Sequence, residues 1–148
     1  MDYQLAQVNI ARMKADLDDP VMSGFVQRLD EINALADGSA GFVWRFQADT
    51  GNATYLRPFE DQRILLNLSV WATLEDLKHY VYGSKHLELL RSKTAWFTKL
   101  SEAHLALWWI QKGHLPSVGE ALEKLRLIQQ TGTSPDAFSL VQSYPKPG

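Results

Sequence analysis

The chain has no cysteine. That removes disulfides, thiolate metal ligands and a cysteine nucleophile together. It also suits a reducing compartment, and the cytoplasm is expected. No apolar run approaches the ~18 residues of a membrane-spanning helix. The opening MDYQLAQVNIARM lacks a basic segment followed by an apolar one, so no secretion signal is expected. Basic runs are also missing. Lys and Arg total 15 against 17 Asp and Glu, a formal net charge of −2. Nothing in that balance favours nucleic acid or a membrane as partner. The phosphate-binding signatures GxGxxG and GxxxxGK[ST] do not occur, nor does the GxSxG elbow of serine hydrolases. No HxxxH pair is present, and no metal site is expected. The paired carboxylates Asp18–Asp19 and Glu60–Asp61 sit in turn-like stretches and read as solvated. Nucleotide-binding, hydrolase and glycosidase readings are therefore disfavoured.

What the chain does have is 148 residues, 45% apolar and 22% charged, the profile of one globular domain spanning 1–148. Aromatics reach 11%, with five Trp. That suits a core, an interface or an aromatic-walled pocket.

Alternation over 3–11 predicts a strand. Asp19 and Pro20 then open a helix over about 20–37, which Gly38 ends. Residues 40–47 read as a strand, a turn-rich connection follows with its tip at 50–52, and 63–71 read as the next strand. Thr73 and Asp76 form a capping box for a helix over 74–82. Gly83 interrupts, and Ser84 caps a further helix to about residue 100. Residues 104–111 predict a strand. Ser117 and Glu120 form a second capping box, for a helix over 118–131 ending at Gly132. Residues 137–144 predict a last strand. The order β-α-β-β-α-β with an added α-β is ferredoxin-like: an α+β antiparallel sheet with helices on one face and an extra C-terminal α-β unit. With every helix assigned to one face, the other face needs a partner sheet, and a second copy of the chain is the simplest source. A homodimer is expected.

The strand ILLNLSVW raises the functional question. Ile64, Leu66, Leu68 and Val70 share one face; Leu65, Asn67, Ser69 and Trp71 share the other. The second set suits a semi-polar cavity, joined by Gln7 and Asn9 of the first strand. Packing of these groups against one another or at an interface is the plainer alternative. Alternation does not say which set lies under the helices, nor which of Trp108 and Trp109 joins Asn67. In 40–47 the choice is between Phe42-Trp44-Phe46 and Val43-Arg45-Gln47.

The spacing Asn67-Leu-Ser-Val-Trp71, followed by a helix entering HYVYGSKH with His86, resembles the dimeric α/β-barrel superfamily, whose antibiotic biosynthesis monooxygenases are homodimers of ferredoxin-like subunits. Over nearly the whole chain, QLAQVNIARM, GFVWRFQ, NLSVW, YVYGSKH, AWF and LWWIQKGHLPS are more similar to an uncharacterised bacterial branch of it, a domain of unknown function. The resemblance implies a pocket between sheet and helices, with Asn67 and Trp71 beneath the helices and the aliphatic set in the barrel. It implies a small-molecule site for a planar or aromatic metabolite, of cofactor-independent monooxygenase type. A non-catalytic homodimer binding haem or another hydrophobic ligand is the alternative. No cofactor is expected; haem is the one the superfamily allows, with His86 or His114 as axial ligand.

Candidate roles follow from side-chain chemistry. Asn67 can donate amide hydrogens to a developing oxyanion. Trp71 can stack on a planar ligand, or simply close the core. His86 can move a proton near neutral pH. His114 shares that chemistry. Tyr82 and Arg91 can hold a phenolate or carboxylate. Asn9, Ser69 and Trp108 complete the expected lining. For each lone histidine the plain reading is a locally bonded, partly exposed side chain. Trp96 and Phe97 read as core.

Overall fold

The computed structural model describes residues 2–16, 18–46, 64–83, 96–98 and 104–147. Strand β1 (Tyr3–Met13) is the centre of the sheet. On one side it pairs antiparallel with β3 (Ile64–Trp71), from Leu5 opposite Trp71 to Arg12 opposite Ile64. Strand β2 (Phe42–Arg45) lies outside β3. On its other side β1 pairs with a two-residue β4 (Phe97–Thr98) near its end and with β5 (Leu105–Gln111) along the rest. The order β2-β3-β1-β5 is that of a ferredoxin-like α+β sheet.

The helix starts follow their capping residues. Asp19 accepts a hydrogen bond from the Val21 amide, and Pro20 opens a single 3₁₀ turn that runs into α1 (Ser23–Asp37). Thr73 Oγ1 accepts from the Asp76 amide at 3.0 Å to start α2 (Leu74–Val81). Ser117 Oγ does the same for the Glu120 amide at 3.1 Å, starting α3 (Val118–Thr131).

Helix α3 overturns one expectation. Ala121, Leu125 and Ile128 pack on Ala6, Val8, Ile10, Leu66, Leu68, Val70, Ala106, Trp108 and Ile110. That is the aliphatic face, opposite α1 and α2. Not every helix is used on one face, because α3 returns across the other. Val8, Leu68 and Val70 are 0% exposed within one chain, so a partner sheet is not needed to bury them. On the second face, α2 sets Leu74 and Leu77 over Leu5, Trp71 and Leu107, and α1 sets Phe25 beside Met13, Leu65 and Trp96. This is the parity implied by the family resemblance.

Two further expectations are corrected. The helix expected over 84–100 lies largely outside the described residues. Within its last turn Trp96 is helical, but Phe97 and Thr98 are extended, because the Lys14 amide donates to the Trp96 carbonyl at 2.8 Å and Phe97 pairs with Met13. Trp96 and Phe97 pack on Phe25 as core. The strand expected over 137–144 reduces to two isolated bridges: Ala137 pairs with Ser134 in a tight turn, and Phe138 exchanges both backbone bonds with Leu107. Ser139 then turns the chain, its Oγ accepting from the Gln142 amide at 2.9 Å. Val141 is left 94% exposed.

Gly41 seats α2 against β2. Its φ is +80°, and a Cβ there would fall on the Asp76 carboxyl group. Its carbonyl accepts from the Ala72 amide at 2.7 Å. Gly41→Ala adds left-handed strain to a steric clash and is expected to lower the melting temperature by roughly 5 °C or more. An unchanged thermal melt would show that this contact is dispensable.

Candidate functional site

Cross-strand register builds a polar row on the α1/α2 side of the sheet. Asn9 stands opposite Asn67, and Gln7 opposite Ser69. Beyond Ser69, Arg45 of β2 is its partner on the outer side. Gln7 is the hub. Its Oε1 accepts from Asn9 Nδ2 at 3.0 Å, while its Nε2 donates to Asn67 Oδ1 at 2.6 Å and to Ser69 Oγ at 2.8 Å. Ser69 Oγ accepts a second bond from Trp71 Nε1 at 3.0 Å. Gln7 and Ser69 are buried, whereas Asn9 and Asn67 are half-buried.

These bonds consume acceptors. Both Ser69 lone pairs are used, so its hydroxyl hydrogen remains to be donated. Asn67 gives its carbonyl to Gln7, and its two amide hydrogens have no partner among the described residues.

Next to the row stands an aromatic wall. Tyr80 of α2 stacks on Trp71 with centroids 5.0 Å apart and planes at 28°. Phe42 meets Trp71 edge-on at 5.6 Å. Trp71 is 1% exposed, so Tyr80 already fills the stacking role expected for a ligand there. Burial, helped by the Asp37 carboxylate, raises the Tyr80 phenol from 10.0 to about 12. Because the folded-state value lies above the unfolded one, this stabilising contribution is complete below about pH 10 and lost as pH rises toward about 12. An ultraviolet phenolate titration is expected to show one tyrosine ionising only near the upper limit; all five ionising together near 10 would contradict the burial.

The expected site residues separate. Asn9, Asn67, Ser69 and Trp71 come together. Trp108 does not: it lies on the aliphatic face, where its Nε1 donates to Glu120 Oε2 at 2.8 Å. Trp109 shares the face of Asn67 instead, packed with Phe138 and donating to the Tyr144 carbonyl at 2.9 Å. His114 lies near Trp108, exposed, its Nε2 2.7 Å from Glu120 Oε1. Both corrections share one cause, the placement of α3 and Glu120. Tyr82 is the mostly exposed C-cap of α2. His86 and Arg91 lie outside the described residues. Among the described residues no group of three or more His, Asp or Glu could hold a metal, and no helix is long and apolar enough to cross a membrane.

Arg45 and Tyr80 were not singled out by sequence. Arg45 Nε donates to Asp37 Oδ1 at 2.8 Å, and its Nη2 reaches Asp37 Oδ2 at 3.4 Å. An open groove of about 450 Å³, lined by Asp37 and residues 42–46, runs beside it. It borders the row at Phe42 and Arg45 and does not lie over Asn67.

The strand order and the two helices packed on the Asn67 face make this a ferredoxin-like α+β fold. Over residues 4–148 the chain matches the model of a family described as a domain of unknown function, DUF3291, and it belongs to that family. Among solved structures it is similar to SnoaB of Streptomyces nogalater, a cofactor-independent oxygenase, at 16% identity and a TM-score of 0.54, covering 79% of this chain and 100% of that one. An asparagine-to-alanine variant of SnoaB matches at 14% identity and 0.51, covering 79% and 100%. PA3566 of Pseudomonas aeruginosa matches at 11% and 0.50, covering 77% and 98%. At these identities the likeness shows the fold. No curated protein matches the chain.

Proposed function

We propose that the protein binds a planar aromatic metabolite against the Asn9–Asn67–Ser69 side of the sheet and oxidises it with O₂ without a cofactor. One observation carries this reading: Gln7 holds the Asn67 carbonyl at 2.6 Å and leaves a half-buried amide whose hydrogens have no partner among the described residues. Such an amide donates to the substrate oxygen and stabilises the phenolate from which electrons leave. Trp71 acts as a positioning residue, holding Ser69 through its N–H. His86 is assigned the proton transfer, and Tyr82 and Arg91 the mouth of the site. In a phenol-to-quinone conversion one atom of O₂ enters a ring carbon. The other leaves as water, with the phenolic hydrogen and the hydrogen of that carbon.

The whole chain is taken as one domain, acting as a homodimer in the cytoplasm. Pairing is assigned to the β2 end of the aliphatic face, where Trp44, Phe46 and Ile64 are only partly buried. Sedimentation is expected to give twice the 16.8 kDa chain mass; a single-chain mass at micromolar concentration would remove the dimer.

Oxygen uptake with naphthalene diols tests the activity. Trp71→Phe keeps most of the packing but removes the bond to Ser69, and a roughly tenfold lower rate is expected. Ligand binding without oxygen consumption would leave the non-catalytic alternative. Haem ligation through His114 is not expected, since Glu120 engages its Nε2 at 2.7 Å; a Soret shift on adding hemin that is lost in His114→Ala would overturn that.

A further inference from the structure

The unused hydrogen-bonding capacity around Ser69 is one-sided. Asn67 offers amide hydrogens and Ser69 offers its hydroxyl hydrogen, while Asn67 Oδ1 and Ser69 Oγ already accept within the row. Arg45 adds a third donor. Its side chain is 11% exposed, and Nη1 is buried without a hydrogen-bond partner among the described residues. A buried guanidinium N–H left unbonded is costly, so the position favours an acceptor from outside. Asp37 covers only the Nε and Nη2 edge, and its own side chain is 47% exposed. Asn9 Oδ1, across β1 and β3 from Arg45, is the acceptor left over.

The placement is set by strand register. A bulge between Phe42 and Trp44 brings Phe42 opposite Trp71 and Arg45 opposite Ser69. Cross-strand neighbours stand about 5 Å apart at Cβ, and Asn67 lies two residues from Ser69 along β3, roughly 7 Å away. The three donors thus lie within the span of a small aromatic acid, next to the groove beside Arg45.

We propose that Arg45 is a specificity-determining binding residue whose Nη1 donates to a carboxylate carried by the planar ligand. The inference rests on the planar-ligand site above and adds the charge of its occupant. A carboxylate gives the guanidinium a charge-assisted bond, and its remaining lone pairs meet the Ser69 hydroxyl opposite Arg45, leaving the Asn67 amide to the phenol oxygen.

The test is calorimetric titration of the full chain with 2-naphthoate and with its methyl ester. In the wild type the acid is expected to bind about tenfold or more tightly than the ester. Arg45→Met keeps the apolar stem and is expected to bring the two affinities to within about twofold of each other. Equal binding of acid and ester by the wild type would overturn the Arg45 assignment while leaving the planar-ligand site standing. A preference for the acid that survives in Arg45→Met would do the same. Binding of neither compound would overturn both readings. The acid–ester comparison needs no variant, so it holds even if Arg45→Met folds poorly.

Discussion

Replacing Trp71 with alanine is expected to cost about 3–5 kcal/mol of stability, the range for deleting a fully buried large aromatic. The ring is 1% exposed, stacked by Tyr80 and met edge-on by Phe42. Its removal opens a cavity where α2 meets the sheet, among Leu5, Leu74, Leu77 and Leu107. It also strips Ser69 of one donor. Trp71→Phe fills most of the space and is expected to lose about 1–2 kcal/mol, mainly the N–H bond. Urea denaturation of the pair separates packing from hydrogen bonding. An alanine variant within about 1 kcal/mol of wild type would mean that α2 does not depend on this ring.

Gln7→Leu is the second large effect. Leucine matches the volume but makes none of the three hydrogen bonds that Gln7 contributes. Loss of about 2–3 kcal/mol is expected, since Ser69 is buried and no water readily replaces the missing partner. Asn9 and Asn67 are half-buried and can turn to solvent. Release of Asn67 is the functional consequence: its amide is no longer aimed, and affinity for a planar phenol is expected to fall about tenfold. Unchanged affinity in a destabilised Gln7→Leu protein would make the row purely structural.

The elements themselves were legible in the sequence because their signals are local. Thr73 with Asp76, Ser117 with Glu120, and Asp19 with Pro20 act within one turn, and each marks a helix start. The alternation of β1, β3 and β5 likewise marked those strands. Facing was not legible. Alternation is symmetric, and both sides of this sheet are covered, so ILLNLSVW reads equally well either way round. Trp108 and Trp109 differ only by where α3 lands, a long-range outcome that no local pattern encodes. In β2 strict alternation groups Phe42 with Trp44. The bulge instead joins Phe42 to Arg45, which hid the charged end of the row. Tyr80 was within reach, since it follows Leu74 and Leu77 at helical spacing on the buried side of α2. The C-terminal AFSLVQSY misled because its apolar alternation continues through a turn at Ser139.

The central claim is that Asn67, aimed by Gln7, presents free amide hydrogens to a ligand oxygen beneath the helices. A crystal structure grown with 2-naphthol tests it most directly. The account predicts the naphthol oxygen about 2.7–3.2 Å from Asn67 Nδ2, with Gln7 still bonded to Asn67 and Ser69. Asn67 satisfied wholly by its own chain, with the naphthol bound elsewhere or absent, would contradict it.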